Sequence, residues 1–329
     1  MSQDSAPVVI GIDLGGSKIL SVVADAHGRV VSRDLRVTPA SQGPEAVIQA
    51  ILDSVRQVMA QTGNTDSQPA AIGIGAPGVS NPHSGIVFTS PNLPGWQDVP
   101  LRDIIATGTG LKTFLVNDAN AAALGELHFG AARGARDFIY VTISTGIGGG
   151  IVINGELYGG TSGSAGEIGH MTIADTSPPC ACGSTGCWEQ LASGTAMARE
   201  ARRRITAGAE TVILDYAGGD IEMVSAEVVS RAFDRGDALA GELLAQTSYY
   251  IGVGFANLIN IFNPELIVIG GGLANMGDKL LAPAYRVAGE RAFKAAYQAV
   301  RFTQAELGGD AGVLGAAALA LSGMRVINQ

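Results

Sequence analysis

The sequence predicts an α/β fold in two related lobes, and three observations predict it. Short apolar runs alternate with a helical pattern along the first third of the chain. A strand, glycine turn, strand plan at residues 8–24 returns at residues 138–153. The length, 329 residues of which 47% are hydrophobic and 16% charged, is enough for two packed domains of ordinary size. The 46 glycines are about twice the usual share. They cluster in short runs between apolar segments, which excludes a disordered or fibrous chain.

Residues 8–24 read as two apolar strands joined by a Gly-Gly turn, and the segment after Val30 supplies a third. Residues 43–62 carry Val47, Ile48, Ile51, Leu52, Val55 and Val58 at a helical period on one face. A short buried strand over 70–75 runs into a Gly/Pro-rich loop over 76–82. A helix over 101–107, a strand over 113–116 and a helix from about Ala119 complete the first lobe's pattern. From about Asp137 the second unit repeats the plan, with later helices over 238–260, a buried strand over 265–269 and a triple glycine at 270–272. Two such lobes place a ligand in the cleft between them, where pockets most often form.

The net charge of -9, 21 basic residues against 30 acidic, gives no long-range attraction to nucleic acid or anionic lipid. The densest basic run, Arg199 to Arg204, lies in a helical pattern and reads as a solvated face. The start lacks a charged n-region and an apolar h-region, and the weakly polar stretch 311–324 is too short to span a bilayer. A cytoplasmic protein is expected, with no nucleic-acid or membrane partner.

The strongest chemical signal is His170-x9-Cys180-x-Cys182-x4-Cys187, which holds all three cysteines of the chain. Three thiols and an imidazole complete a tetrahedral zinc site with no open position, so the metal is structural. Gly183 and Gly186 allow the tight turns of that loop. Asp13-Leu-Gly-Gly-Ser-Lys18 sets a carboxylate suited to Mg2+ beside amides that can approach phosphate, though a plain hairpin turn gives the same pattern. Ser144-Thr-Gly-Ile-Gly-Gly-Gly150 is the equivalent turn of the second lobe. Gly270-Gly-Gly-Leu273 is either a bed for a flat adenine or a strand-to-helix turn. Asp118 either caps a helix or serves as a general base at a strand's C-terminal end. Glu167 and Glu189 flank the zinc loop, and the metal would bring them together as acceptors for neighbouring hydroxyls.

Together these residues resemble the ROK family (repressors, open reading frames, sugar kinases) within the actin/hexokinase-like ATPase fold. The match runs from Ile10-Gly-Ile-Asp-Leu-Gly-Gly-Ser-Lys to Ala311-Gly-Val-Leu-Gly-Ala-Ala. Its most specific piece is Gly166-Glu-Ile-Gly-His-Met followed by Cys-x-Cys-Gly-x-x-Gly-Cys-Trp-Glu-Gln, a form most similar to the glucokinase branch. The resemblance implies two ribonuclease H-like lobes with an active-site cleft between them: residues 1–118 plus about 313–329, and residues 119–312. It implies Asp118 as catalytic base, with Asn92, Asn117, Glu167, His170 and Glu189 on the sugar and His170 also on zinc. Asp13, Gly15, Gly16, Ser17 and Lys18 match one phosphate loop, Thr145 and Gly146 the other, and Gly270, Gly271 and Gly272 the adenosine loop. Ser17 stands where the family usually has Thr, which keeps the hydroxyl. The implied activity is ATP- and Mg2+-dependent transfer to the 6-hydroxyl of glucose, feeding glycolysis, by a homodimer or larger homo-oligomer. N-acetylmannosamine or N-acetylglucosamine is the alternative acceptor, and polyphosphate the alternative donor. A sugar-responsive repressor is the reading of another class, but only 12 residues precede Asp13, which leaves no room for a helix-turn-helix domain. A catalytically dead sensor is a further alternative, opposed by Asp118 and both glycine turns.

Overall fold

The computed structural model describes residues 7–62 and 68–325. In chain order, β1 (Val9–Leu14), β2 (Lys18–Ala24) and β3 (Val30–Val37) are antiparallel neighbours. Helix α1 (Pro44–Gln61) follows, with proline in its first turn, where the missing N–H costs nothing. Its predicted stripe is buried at Val47, Ile51, Val55 and Val58. Strand β4 (Ala71–Ala76) lies parallel to β1. The next segment holds β5 (Val79–Asn81), β6 (Ile86–Thr89) and β7 (Gln97–Val99), a small antiparallel sheet whose first strand lies in the loop expected over 76–82. Then come α2 (Leu101–Thr109), β8 (Lys112–Asn117) parallel to β4, and α3 (Asp118–Phe129).

The second half runs through β9 (Phe138–Ile143), β10 (Ile147–Ile153), β11 (Glu156–Leu157), α4 (Trp188–Ala192), α5 (Gly194–Thr206), α6 (Ile213–Tyr216) and α7 (Ala226–Phe233). After these stand α8 (Ala238–Phe262), β12 (Leu266–Gly270), α9 (Asp278–Arg291), α10 (Lys294–Ala299), β13 (Arg301–Gln304) and α11 (Ala311–Arg325). Among the described residues no helix is long and apolar enough to cross a membrane.

The large sheets have orders β3-β2-β1-β4-β8 and β11-β10-β9-β12-β13. Both therefore follow one plan, a central strand with a hairpin partner on one side and two later strands on the other. The repeat that the sequence shows only in its glycine turns is thus complete at the level of topology, and this is the actin/hexokinase-like fold.

The chain divides into two compact units, Met1–Tyr140 with Gly150–Gly166 and Ala305–Gln329, and Val141–Gly149 with Glu167–Gln304. The division falls past α3, not at residue 118, and the glycines explain why. A Cβ on Gly125 of α3 would collide with the Ala311 carbonyl, and one on Gly315 of α11 with the Ala121 carbonyl. The two helices touch backbone to backbone, so α3 stays with the first unit. Gly11 of β1 and Gly73 of β4 admit α11 equally closely, against the carbonyls of Val313 and Ala316. The first sheet is thereby covered on both faces. Ile10, Ile12 and Ile74 pack with α1 and α2 on one side, and Val9, Leu20 and Val22 with Val313, Leu314 and Ala317 on the other.

Candidate active site

In the first unit, β1 ends in Asp13 and turns at once into β2. The turn is closed by the Gly15 amide donating to the Lys18 carbonyl at 2.9 Å, and the Thr38 hydroxyl donates to the Gly15 carbonyl at 2.7 Å. Ser17 and Lys18 are exposed at its tip. Gly16 leaves just enough room for the neighbouring loop, since a Cβ there would lie 2.8 Å from both the carbonyl oxygen and the Cβ of Asn92. Buried Leu93 and Trp96 anchor that loop and leave Asn92 exposed.

Asn117 and Asp118 stand where β8 gives way to α3. Asn117, not Asp118, is the helix cap: its Oδ1 accepts from the amides of Ala119 at 2.9 Å and Asn120 at 3.3 Å. Its Nδ2 donates to the Gly78 carbonyl at 3.1 Å. The side chain expected on the sugar is thus largely engaged by the protein. Asp118 takes the first helical position, where one oxygen accepts from the Ala119 amide at 2.8 Å. Burial pushes its carboxyl above the usual carboxylate range, against the pull of the Ala119 amide and Asn117. Asp13 is pushed up to about 6 by burial first and by the Asp118 charge second, with Lys18 opposing. A Cβ on Gly312, in the first turn of α11, would press on Asp13 Oδ2 at 3.0 Å, so the glycine keeps a side chain off that oxygen.

In the second unit the equivalent turn joins β9 to β10. The Ser144 amide donates to the Gly146 carbonyl at 2.9 Å, and the amides of Gly194 and Thr195 at the start of α5 donate to the carbonyls of Ser144 and Thr145. Glu189, in the first turn of α4, accepts from the Ile147 amide at 2.9 Å through Oε2. Gly146 is what permits this, because a side chain there would displace the carboxylate. Glu189 is therefore held on the second glycine turn. Gly271, at φ +92°, packs against the Ile143 backbone, and a Cβ on Gly272 would lie 3.6 Å from the Ser144 hydroxyl. Gly272, Ser144 and Thr145 share the wall of a cavity of about 1090 Å³.

The basic run on α5 corrects one expectation. Arg203 and Arg204 face outward and pair with Glu200 and Glu242. Arg199 and Arg202, three residues apart and so on one helix face, line that cavity with Lys279 and Ser230. The i, i+3 spacing within the run was the available signal.

His170, Cys180, Cys182 and Cys187 converge as the spacing predicts, with all four ligand atoms within 4.8 Å of one another. Cys180 Sγ lies 3.5 Å from His170 Nδ1, and Cys182 Sγ lies 3.6 Å from Cys187 Sγ. Tetrahedral zinc with bonds of roughly 2.0–2.3 Å needs ligand edges of roughly 3.5–3.8 Å, so the donor set fits and these two edges have the right length. Gly183 and Gly186 adopt φ +90° and +76°, the left-handed turns anticipated for the loop. Glu167 lies beside the cluster, its Oε2 3.9 Å from His170 Nε2. On the far side Trp188 is fully buried, fits a notch left by Gly254 and donates from Nε1 to the Tyr250 carbonyl at 2.9 Å.

The ROK family's sequence profile matches residues 9–322. A glucokinase of Halalkalibacterium halodurans is 38% identical over 308 residues, 93% of this chain and 92% of that protein. A xylose repressor of Caldicellulosiruptor bescii is 32% identical over 316 residues, 96% of this chain and 78% of its own length. The crystal structure of a ROK family glucokinase from Streptomyces griseus, in complex with glucose and AMPPNP, superposes with a TM-score of 0.82 at 35% identity, covering 96% of this chain and 99% of that one. Motifs, doubled topology and relatives agree, and the chain belongs to the ROK family.

Proposed function

We propose that this protein is a glucokinase that transfers the γ-phosphoryl group of ATP to the 6-hydroxyl of glucose, with Asp118 as general base. The observation that carries the reading is Asp118 itself. It is a carboxylate fixed at the head of α3 by its own helix, with one oxygen left over, in the unit that also offers the Asp13–Lys18 turn. The Streptomyces griseus relative, solved with glucose and AMPPNP, supports both substrates.

A sugar hydroxyl is a poor nucleophile near neutral pH. As it attacks, Asp118 takes its proton, the O6–Pγ bond forms, and the bond from Pγ to the β-phosphate oxygen breaks to release ADP. Base catalysis of this kind is typically worth about 10²–10⁴-fold. The sugar's remaining hydroxyls fall to Asn92, Asn117, Glu167, His170 and Glu189, which hold the ring so that attack is in line. Amides of Gly16, Ser17, Thr145 and Gly146, with Lys18, receive the phosphates on the turn that Gly15 closes, and Gly272, with Gly270 and Gly271 before it, borders the cavity for adenosine. Asp13 is the residue to hold Mg2+: a buried carboxylate whose affinity for a proton the Asp118 charge raises calls for a cation, and Gly312 keeps a side chain off its oxygen. Bound there, the metal would neutralise charge on the transferring phosphates. Zinc at His170, Cys180, Cys182 and Cys187 would act structurally, since four protein ligands fill its coordination. A cytoplasmic homodimer, or a larger homo-oligomer, supplying glycolysis completes the reading by family analogy.

The test is ADP release from Mg-ATP with glucose, mannose, fructose, N-acetylglucosamine and N-acetylmannosamine, against a no-sugar blank and an Asp118→Asn control. Glucose should be preferred, and the control should lose about 10²–10⁴-fold in turnover while still binding sugar. A preference for an N-acetylated sugar moves the substrate and keeps the chemistry. The xylose repressor relative favours a second reading, a sugar-responsive regulator, which silence with all five sugars and retained sugar binding would establish.

A further inference from the structure

Helix α4 is only five residues long, Trp188–Ala192. An isolated helix of that length has no stability of its own, so its direction must be imposed from outside. One end is fixed by Cys187 in the metal loop and by Trp188 in the Gly254 notch. The other is fixed by Arg199 of α5. Its Nη1 donates to the Gln190 side-chain Oε1 at 3.0 Å and its Nη2 to the Gln190 carbonyl at 2.5 Å. Between these anchors stands Glu189, whose carboxylate holds the Ile147 amide at the end of the second glycine turn.

Arg199 is an expensive choice for a plain structural tie. The guanidinium is half-buried, and burial opposes its charge. The nearest acid in sequence, Glu200, is taken by a two-pronged bond to Arg203 at 2.7 Å on each prong. The bonds from Arg199 go to neutral oxygens of a single residue instead. Its side chain also stands between two cavities, the one of about 1090 Å³ that the Ser144–Thr145 turn borders and a second of about 350 Å³ beside Ser177 of the metal loop. It is thus placed between the nucleotide side and the metal-loop side of the same unit.

We infer that Arg199 is a positioning residue for the transfer reaction: by gripping Gln190 at both oxygens it aims Glu189, and through Glu189 it sets the second glycine turn. The inference rests on the kinase reading above. A planar fork suits two divergent acceptors because its donors are fixed relative to one another, which the freely rotating donors of the lysine ammonium are not.

Steady-state kinetics of the full chain with glucose and Mg-ATP test it, using Arg199→Lys, Arg199→Met, Glu189→Gln and the Arg199→Met/Glu189→Gln double variant, with thermal unfolding of each. Arg199→Met should raise the KM for glucose about tenfold, with a smaller fall in kcat and a melting temperature close to that of the wild type. Arg199→Lys should give a several-fold rise, and it carries the test if the methionine variant does not fold. If Arg199 acts through Glu189, Arg199→Met should add little in the Glu189→Gln background. Unchanged KM values in the single variants, or a penalty that simply multiplies that of Glu189→Gln, would overturn the assignment. A wild-type chain that turns over no sugar overturns this inference together with the kinase reading, whereas the former outcomes overturn it alone.

Discussion

Burial raises the cost of ionising both Asp13 and Asp118, and the Asp118 charge adds to that cost at Asp13. Both are more acidic in the unfolded chain, so the folded protein holds protons that the unfolded one has released. The contribution of Asp13 to stability is therefore fully present below the ordinary carboxylate value of 3.8 and is lost as pH rises through about 6, and that of Asp118 changes in the same direction. Catalysis runs the other way, because the ionised pair is the working form. The log of kcat/KM for glucose should climb with pH to a plateau above the ordinary carboxylate range. A flat profile down to pH 5, measured where the fold is intact, would exclude the pair from the reaction.

At the scale of elements, close contact between α3 and α11 decides where the base sits, since Asp118 opens α3. Alanine in place of a mid-helix glycine ordinarily stabilises by up to about 1 kcal/mol. At Gly315 the added carbon meets the Ala121 carbonyl, so Gly315→Ala should instead destabilise, by about 1–3 kcal/mol, and lower kcat. Urea unfolding beside an activity assay measures both. Contacts of this kind also mark what the sequence left unread. The main strands and α1 were legible because their apolar residues repeat at the period of the element. The β5-β6-β7 sheet was not, because strands of three or four residues in Gly/Pro-rich sequence carry no period. The boundary placed at 118 missed α3's allegiance, which rests on Gly125 and Gly315. At the site, residues bunched in sequence, such as the metal loop and the glycine turns, stood out. The cavity-lining Arg199 and Arg202 did not, since their role depends on which face of α5 turns inward.

At the scale of the whole molecule, the metal loop lies between Glu167 and Glu189 in sequence and so governs two proposed sugar ligands at once. Stripping the proposed zinc with a chelator should raise the glucose dissociation constant by a factor on the order of ten or more and lower the melting temperature. Metal content and calorimetric titration on one sample decide it, and full loss of zinc with unchanged glucose affinity would sink the link.

The placement of α11 has a further consequence, for synthesis. The helix that seals one face of β1 and β4 is Ala311–Arg325, whereas β1 is Val9–Leu14, so almost the whole chain is translated between them. At ~5–20 residues per second the wait is roughly 15–60 s. Throughout it the nascent first sheet presents an unsealed apolar face to solvent, with Val9, Leu20 and Val22 awaiting their partners. The second unit's residues emerge in the interval, so the lobe begun first is finished last, and its waiting sheet is a natural client for chaperones that bind growing chains.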